Sequence, residues 1–365
     1  MLLEHVESLL ERGRLDAAGR FRAGSEARRA RVSSATVSRV LNDPLVVSEQ
    51  ARSRVFRAIE ALKWIPNGAA KALASARSRT VGILIPTLGH QNFGVLIDAL
   101  QRELSRAQLT LLLACDETSP ERRVQQARKM VERGIECLVL IGESHPPALY
   151  ELLDAYRVPR VITYTSGRER RHPCIDFDNH AAAAELTRHL LDLGHRSFGL
   201  IAHLVEGNDR IQQRIAGVQE TLCREGIMIL PAHYVHVDSR YVASGREGLR
   251  RILAAEGEPP TALICTNDYI ATGAIIEARH LRIDVPGQLS IAGFDDTDMS
   301  AHLNPPLTTV RVPSREMGEA VARYIIELLE HGHAETPGPM EAKLIVREST
   351  AAPGKTKTAQ SRRGR

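Results

Sequence analysis

From Thr80 onward the chain alternates short β-rich runs with amphipathic helical stretches. The rhythm runs once, then restarts, which confines the fold to parallel sheets flanked by helices. The first strand is predicted at 81–86; helix 93–107 leads to a strand at 109–114, helix 120–133 to 137–141, and helix 147–156 to 160–164. A second unit starts after Cys174-Ile175-Asp176-Phe177: helix 180–193, strand 197–202, helix 210–225, strand 233–237, helix 244–255 and strand 261–265. A strand at 289–294, a return through 305–310 and a helix near 317–329 complete it. Sheets of this kind take ligands beyond the carboxyl ends of their strands, so two of them joined by more than one crossing form a cleft that can hinge. With 365 residues, 43% of them hydrophobic, the chain can bury cores for both.

Ahead of this body the pattern is different. Ser33 is placed to cap a short helix whose apolar Val37, Val40 and Leu41 share one side, so that Ser34, Ala35, Ser38 and Arg39 face outward. Small and polar groups there can approach base edges. A second helix is predicted after Ser48, with Glu49, Arg52 and Arg54 in water and Val55, Ile59 and Leu62 turned to a core. This spacing suits a compact three-helix unit. Charge follows the same division. The first 80 residues hold 15 basic against 8 acidic groups, residues 351–365 hold five basic and no acidic ones, and with the whole chain at +4 the remainder carries −8. A basic head on an acidic body suits a phosphate-binding module joined to a small-ligand domain.

Five cysteines, at 115, 137, 174, 223 and 265, are scattered through apolar surroundings and read as reduced core thiols. No C-x-x-C pair or Cys/His cluster has metal spacing, and no metal or other cofactor is expected. Acidic groups stand where a signal peptide needs a basic start, and no apolar run approaches membrane-spanning length, so the expectation is a cytoplasmic protein. Acidic residues at a cleft are compatible with a hydrolase. The chain lacks a nucleophile elbow, a phosphate loop or a metal-binding helix, and it is read as a binding protein with no catalytic residues.

The run Ala35-Thr36-Val37-Ser38-Arg39-Val40-Leu41-Asn42, with Val47-Ser48 and Trp64-Ile65-Pro66-Asn67, resembles the LacI family of bacterial transcriptional regulators, and the resemblance extends over about residues 27–350. It implies an all-α helix-turn-helix head at 25–66 and a hinge helix and linker at 67–79. The α/β body at 80–350 is then periplasmic-binding-protein-like, with one subdomain at about 80–177 and 312–340 and the other at about 178–311 and 341–350. Residues 1–24 form an atypical extension and 351–365 a basic disordered tail. The implied function is a repressor that binds a palindromic double-stranded operator as a homodimer and is released or modulated by a small sugar or sugar acid. A sugar-binding module with a non-functional head is the alternative.

Residue by residue, the resemblance places Ser34, Ala35, Thr36, Ser38, Arg39 and Asn42 in DNA contact. Arg39 can donate two parallel hydrogen bonds to a guanine or hold a phosphate. In the hinge it implicates Asn67, Lys71 and Leu73, the leucine wedged in the minor groove and Lys71 on a neighbouring phosphate. The stretch Arg210-Ile211-Gln212-Gln213-Arg214-Ile215-Ala216-Gly217 resembles the family's R-x-x-G helix start, making Arg214 the clamp for a carboxylate or two sugar hydroxyls. Arg210 either joins it or decorates the helix. At strand ends, Asp295 is expected to accept from ligand hydroxyls and Asn267 to donate and accept; Asp268 is read as the cap of the following helix, and Asp296 as structural. The other subdomain contributes His90, Gln91 and Phe93, with Phe177 and Asp178 at the crossover. Residues 86–88, 177–179 and 266–268 are similar to gluconate-type members.

The chain departs from the family's first head helix. Ala23 and Glu26 stand at apolar positions and Arg31 replaces the turn glycine, while Ala27 and Ala30 match. The tail carries no heptad leucines for a tetramerising coil.

Overall fold

The computed structural model describes Arg29, residues 31–33, Thr36, Val37, Arg39, Val40, and residues 44–62, 77–115, 119–165, 172–203 and 206–354. They fall into two units, Met1–Arg77 and Ser78–Arg365.

In the first unit Ser33 caps as the sequence predicts. Its Oγ accepts from the Thr36 backbone N–H at 3.1 Å and its carbonyl from that of Val37 at 3.1 Å. A 3-10 turn at Pro44–Val46 precedes α1 (Glu49–Leu62). At the start of α1 the Ser48 carbonyl accepts from Arg52 N–H at 2.9 Å. Val37 and Val40 close on Val55 and Ala58 of α1, with Val32, Val47 and Ile59 packed around them. This small core fixes the capped helix against α1. The rest of the first predicted helix, Ser34, Ala35, Ser38, Leu41, Asn42 and Trp64 lie outside the described residues. So do Asn67, Lys71 and Leu73 of the hinge, the 1–24 extension and the tail from 355.

The second unit opens with β1 (Thr80–Ile85), α2 (Gln91–Arg106), β2 (Thr110–Cys115), α3 (Pro120–Glu132), β3 (Cys137–Ile141), α4 (Pro147–Ala155), β4 (Arg160–Thr163) and β5 (Cys174–Ile175). These strands form one parallel sheet in the order β2-β1-β3-β4-β5. Then follow α5 (Asn179–Asp192), β6 (Phe198–His203), α6 (Asp209–Arg224), β7 (Tyr234–Val237), α7 (Val242–Leu253), β8 (Ala262–Cys265), α8 (Asp268–His280) and β9 (Ser290–Ala292). A second parallel sheet has the order β7-β6-β8-β9. The chain ends through β10 (Thr309–Arg311), α9 (Ser314–His331) and β11 (Lys343–Ile345), with β10 and β11 paired antiparallel. Predicted and observed boundaries agree to within a few residues; β11 and the two-residue β5 were not predicted.

Alternation along the strands explains the layering. Ile83, Ile85, Val139 and Ile141 turn to one face, under Leu96 and Leu100 of α2 and Val321 and Ile325 of α9. Leu84, Leu138 and Leu140 turn to the other, over Met130 of α3 and Leu149 and Leu152 of α4. The second sheet repeats this, with α5 and α6 on one face and α7 and α8 on the other. A Cβ on Gly217 would lie 2.3 Å from the His180 carbonyl oxygen, so α6 rests on α5 only because that position has no side chain.

Three crossings join the two halves, at 176–178, at 293–313 and at 332–342. They are bonded side by side: Met340 N–H donates to the Asp176 carbonyl at 2.8 Å, Asp295 bridges Arg311 in parallel, and β10 pairs β11.

Arg31, which replaces the turn glycine, sits at φ 54°, the left-handed region a glycine adopts freely. The turn is kept at the expense of backbone strain. Arg31→Gly should therefore stabilise the head by about 1 kcal/mol, read as a rise in its thermal unfolding transition; an unchanged or lowered transition would mean the arginine is not strained.

Candidate functional site

The strand orders reverse direction between β1 and β3 in the first sheet and between β6 and β8 in the second, and crevices for ligands form at the carboxyl ends at such points. Those ends carry the polar residues of the body. After β1 come His90, Asn92 and Phe93; after β6, at the start of α6, Asn208, Arg210 and Arg214; after β8, Thr266 and Asn267; after β9, Phe294 and Asp295.

Arg214 is the best-anchored of them. Its Nε donates to Asn179 Oδ1 at 2.9 Å and its Nη1 to the Thr266 carbonyl at 2.8 Å, with Asp295 Oδ1 at 3.4 Å. The guanidinium carbon stands 3.7 Å from the centre of the Phe294 ring, a cation–π contact. Asp295 in turn faces His90 Nε2 at 3.1 Å, and its own carbonyl accepts from Asn92 Nδ2 at 3.3 Å. Burial alone would raise the Asp295 carboxyl, but the Arg214 guanidinium, then His90 and His203, hold it below the ordinary carboxylate range. It is therefore an anion and accepts only. Its φ of 124° is strained for a residue with a side chain, as is common where a fold aims a group at a ligand.

His203, behind the pair, is pushed down to about 3 by burial and by Arg214, so it is neutral; its Nδ1 lies 3.3 Å from Thr266 Oγ1. Tyr164 donates to the Asn92 carbonyl or to Ser314 Oγ, each at 2.9 Å, while Asn179 Nδ2 donates to the Tyr164 carbonyl at 2.8 Å. These groups enclose an inner cavity of about 30 Å³. Beside it, between the ends of β1 and β3 and the segments 206–210 and 236–241, lies an outer cavity of about 1070 Å³.

The structure brings His90, Phe93, Arg214, Asn267 and Asp295 together around the inner cavity. Arg210 lines both cavities, its Nη1 donating to the Ile141 carbonyl at 3.0 Å, so it is part of the cleft and no mere surface group. Other expected residues are placed elsewhere. Phe177 is fully buried in the core, between Tyr164 and Phe294, because the crossing it occupies runs beneath the sheet ends. Asp178 caps α5, accepting from Ala181 N–H at 2.9 Å, and Gln91 accepts from Asp298 N–H at 3.1 Å. The cap of α8 is Asn267, which accepts from Ile270 N–H at 2.8 Å; Asp268 is not a cap. Its buried carboxylate accepts from Thr297 N–H, Ser300 Oγ and Thr309 Oγ1 at 2.5 to 2.8 Å and so ties α8 to the loop bearing Asp295. Asp296 pairs with Arg311 and Arg347, each at 2.7 Å, as a structural residue would. Asn92, Tyr164, Asn179 and His203 were missed. Only their positions next to strand ends could have flagged them.

In the head, Arg39 is exposed and Thr36 is partly buried beside Ser33. Among the described residues, no helix is long and apolar enough to cross a membrane, and no group of three or more His, Cys, Asp or Glu is placed to hold a metal ion.

Comparison with known proteins agrees with this architecture. Residues 27–67 match the family model described as bacterial regulatory proteins, lacI family, and residues 187–350 that of the periplasmic binding protein-like domain. The HTH-type transcriptional regulator RegA of Clostridium saccharobutylicum is 29% identical over 325 residues, covering 89% of this chain and 97% of that protein. The HTH-type transcriptional repressor CytR of Escherichia coli (strain K12) is 28% identical over 326 residues, covering 89% and 94%. Among solved structures, a lacI-family transcriptional regulator from Silicibacter pomeroyi superposes with a TM-score of 0.82 at 26% identity, covering 91% of this chain and 99% of that one.

Burial, and then the Asp295 charge, push the Asp268 carboxyl up from 3.8 to about 6, against the pull of its three hydrogen bonds. A raised folded-state value means that folding favours the protonated acid. The contribution is fully present below about pH 4 and is lost as pH rises through 6. At 1.36 kcal/mol per pKa unit this amounts to roughly 3 kcal/mol. Relative to Asp268→Asn, the wild-type chain should lose that amount between pH 4 and 7 in urea unfolding; a pH-independent difference would place the ordinary carboxyl value at this site.

Proposed function

Because this chain belongs to the lacI family of bacterial regulatory proteins and is a DNA-binding transcriptional regulator, we propose that it acts in the cytoplasm as a homodimeric repressor whose operator affinity is set by a small sugar or sugar acid in the cleft. The observation that carries the effector half of this reading is the buried junction at Asp295. There a guanidinium from α6 and an imidazole and a side-chain amide from the β1–α2 segment converge on one strained residue. Such a carboxylate accepts from hydroxyls, the guanidinium donates to them or to an acid, and the Phe93 ring on the inner cavity adds an apolar contact.

Arg214 and Asp295 form a binding clamp. The site calls for no nucleophile and no bond-making step. Because His90 and Asn92 come from one half of the body and Arg214 from the other, a ligand inserted between them changes how the halves close. A ligand shifts the protein only by its differential affinity for the two closures. In the head, an exposed Arg39 on a Ser33-capped helix suits base reading in the major groove. A palindromic operator then needs two heads, hence a dimer.

Arg214→Ala should leave operator affinity without effector within about twofold while abolishing the response to it, in fluorescence anisotropy titrations with and without sugar. A variant that responds at the same concentration moves the effector site elsewhere. Arg39→Ala should weaken binding to the preferred operator by about 1–3 kcal/mol and to random DNA much less; equal losses on both would make it a phosphate contact. A wild-type chain that binds sugar but no operator would instead be a sugar-binding module.

A further inference from the structure

The two cavities of the cleft differ too much in size to share a sugar equally. The inner one, at about 30 Å³, has room for one or two waters. The bulk of any sugar-sized ligand therefore lies in the outer one, of about 1070 Å³, and what lines its far end decides what the ligand carries there.

That end is formed by Pro120 and Arg123 of α3 and by Ser144 and His145 after β3. Arg123 donates from Nη1 to the Ser144 carbonyl at 3.0 Å. Its Nε is shielded from solvent and meets no acceptor among the described residues, and its guanidinium forms no ion pair there. The acid nearest along the helix, Glu121, is exposed and accepts from Ser119 Oγ at 2.7 Å. Arg210, farther in, is already balanced by Asp209, and Glu206 and Asp238 sit on the exposed rim, where water screens them.

Among the described residues, two guanidinium groups act on this end of the cavity. His145 is pushed down to about 4 by burial and then by Arg123 and Arg210, so its imidazole is neutral and Arg123 supplies the charge there. The N-terminal turn of α3, thirteen residues long with Pro120 at its start, points the same way. A guanidinium that lines the cavity with no counter-ion among the described residues is poorly used by a ligand of neutral hydroxyls alone, and is matched by one that brings an anion to it.

We propose that the far end of the outer cavity is an anion subsite anchored by Arg123, and that the effector is a sugar carrying a carboxylate or phosphate at the end remote from Arg214. This rests on the effector-binding reading of the cleft. Carboxylate and phosphate present the same chemistry to Arg123, and the choice between them is a matter for measurement.

Isothermal titration of the full chain with D-glucose, D-gluconate and D-glucose 6-phosphate makes the test. Wild-type protein should bind at least one of the two anionic sugars tenfold or more tightly than glucose, and the tighter of the two identifies the anion. Arg123→Gln should weaken that anionic sugar at least tenfold and leave glucose within twofold, with Arg123→Lys in between; a circular-dichroism melt confirms that the variants are folded. Arg214→Ala should weaken every sugar that binds. If Arg123→Gln binds the anionic sugar as the wild type does while Arg214→Ala does not, the anion subsite is wrong and the effector site stands. If no sugar binds the wild-type chain, both are overturned.

Discussion

The body of this protein is organised around one carboxylate. Asp295 is buried, strained at φ 124°, and ionised because Arg214 and His90 flank it. Removing Arg214 would leave the Asp295 charge without its guanidinium inside the protein, a far larger penalty than the net worth of the pair. Much of the neighbouring structure serves to hold this residue in place. Asn179 orients the Arg214 side chain, Phe294 supports its guanidinium face, and Asp268 grips the loop on which Asp295 rides through Thr297 and Ser300. The site is therefore preorganised in its donors and acceptors, and both halves of the body supply them.

What could be seen in the sequence and what could not divides along a physical line. Strands such as Cys137–Ile141 and helices such as Pro147–Ala155 are local objects with a period of their own, and reading that period placed them to within a residue. Asp295 was legible from its place at a strand end, and Arg214 from the resemblance of residues 210–217 to the family's R-x-x-G helix start. The residues that complete the site were not, because their contacts bridge long stretches of chain: Asn92 reaches Asp295 across 203 positions and Arg214 reaches Asn179 across 35. Phe177 illustrates the converse. An aromatic residue at a crossover has the composition of a sugar platform, yet the crossing passes under the sheet ends and places the ring in the core. Asn267 and Asp268 were exchanged for a similar reason. Either can cap a helix, and only the buried hydroxyls of Ser300 and Thr309 decide that the aspartate faces the other way.

The head shows how a fold absorbs an unfavourable residue. Arg31 stands where a glycine would adopt the turn without strain, and the chain takes the left-handed conformation all the same. The closed core of Val37, Val40, Val55 and Ala58 is what enforces it: burying four apolar side chains outweighs a strain on the order of 1 kcal/mol.

The three crossings between the halves are bonded to one another, through Met340 and Asp176, Asp295 and Arg311, and the β10–β11 ladder. A single tether would let the halves roll, swing and slide independently. Three tethers laced into a ribbon suppress roll and shear and leave rotation about one axis as the soft degree of freedom. Movement in the cleft is then geared. A displacement of an ångström at Asp295, close to that axis, becomes a proportionally longer arc at the distal surface of each half, so the ribbon works as the fulcrum of a lever whose mechanical gain is set by the length of the half it carries.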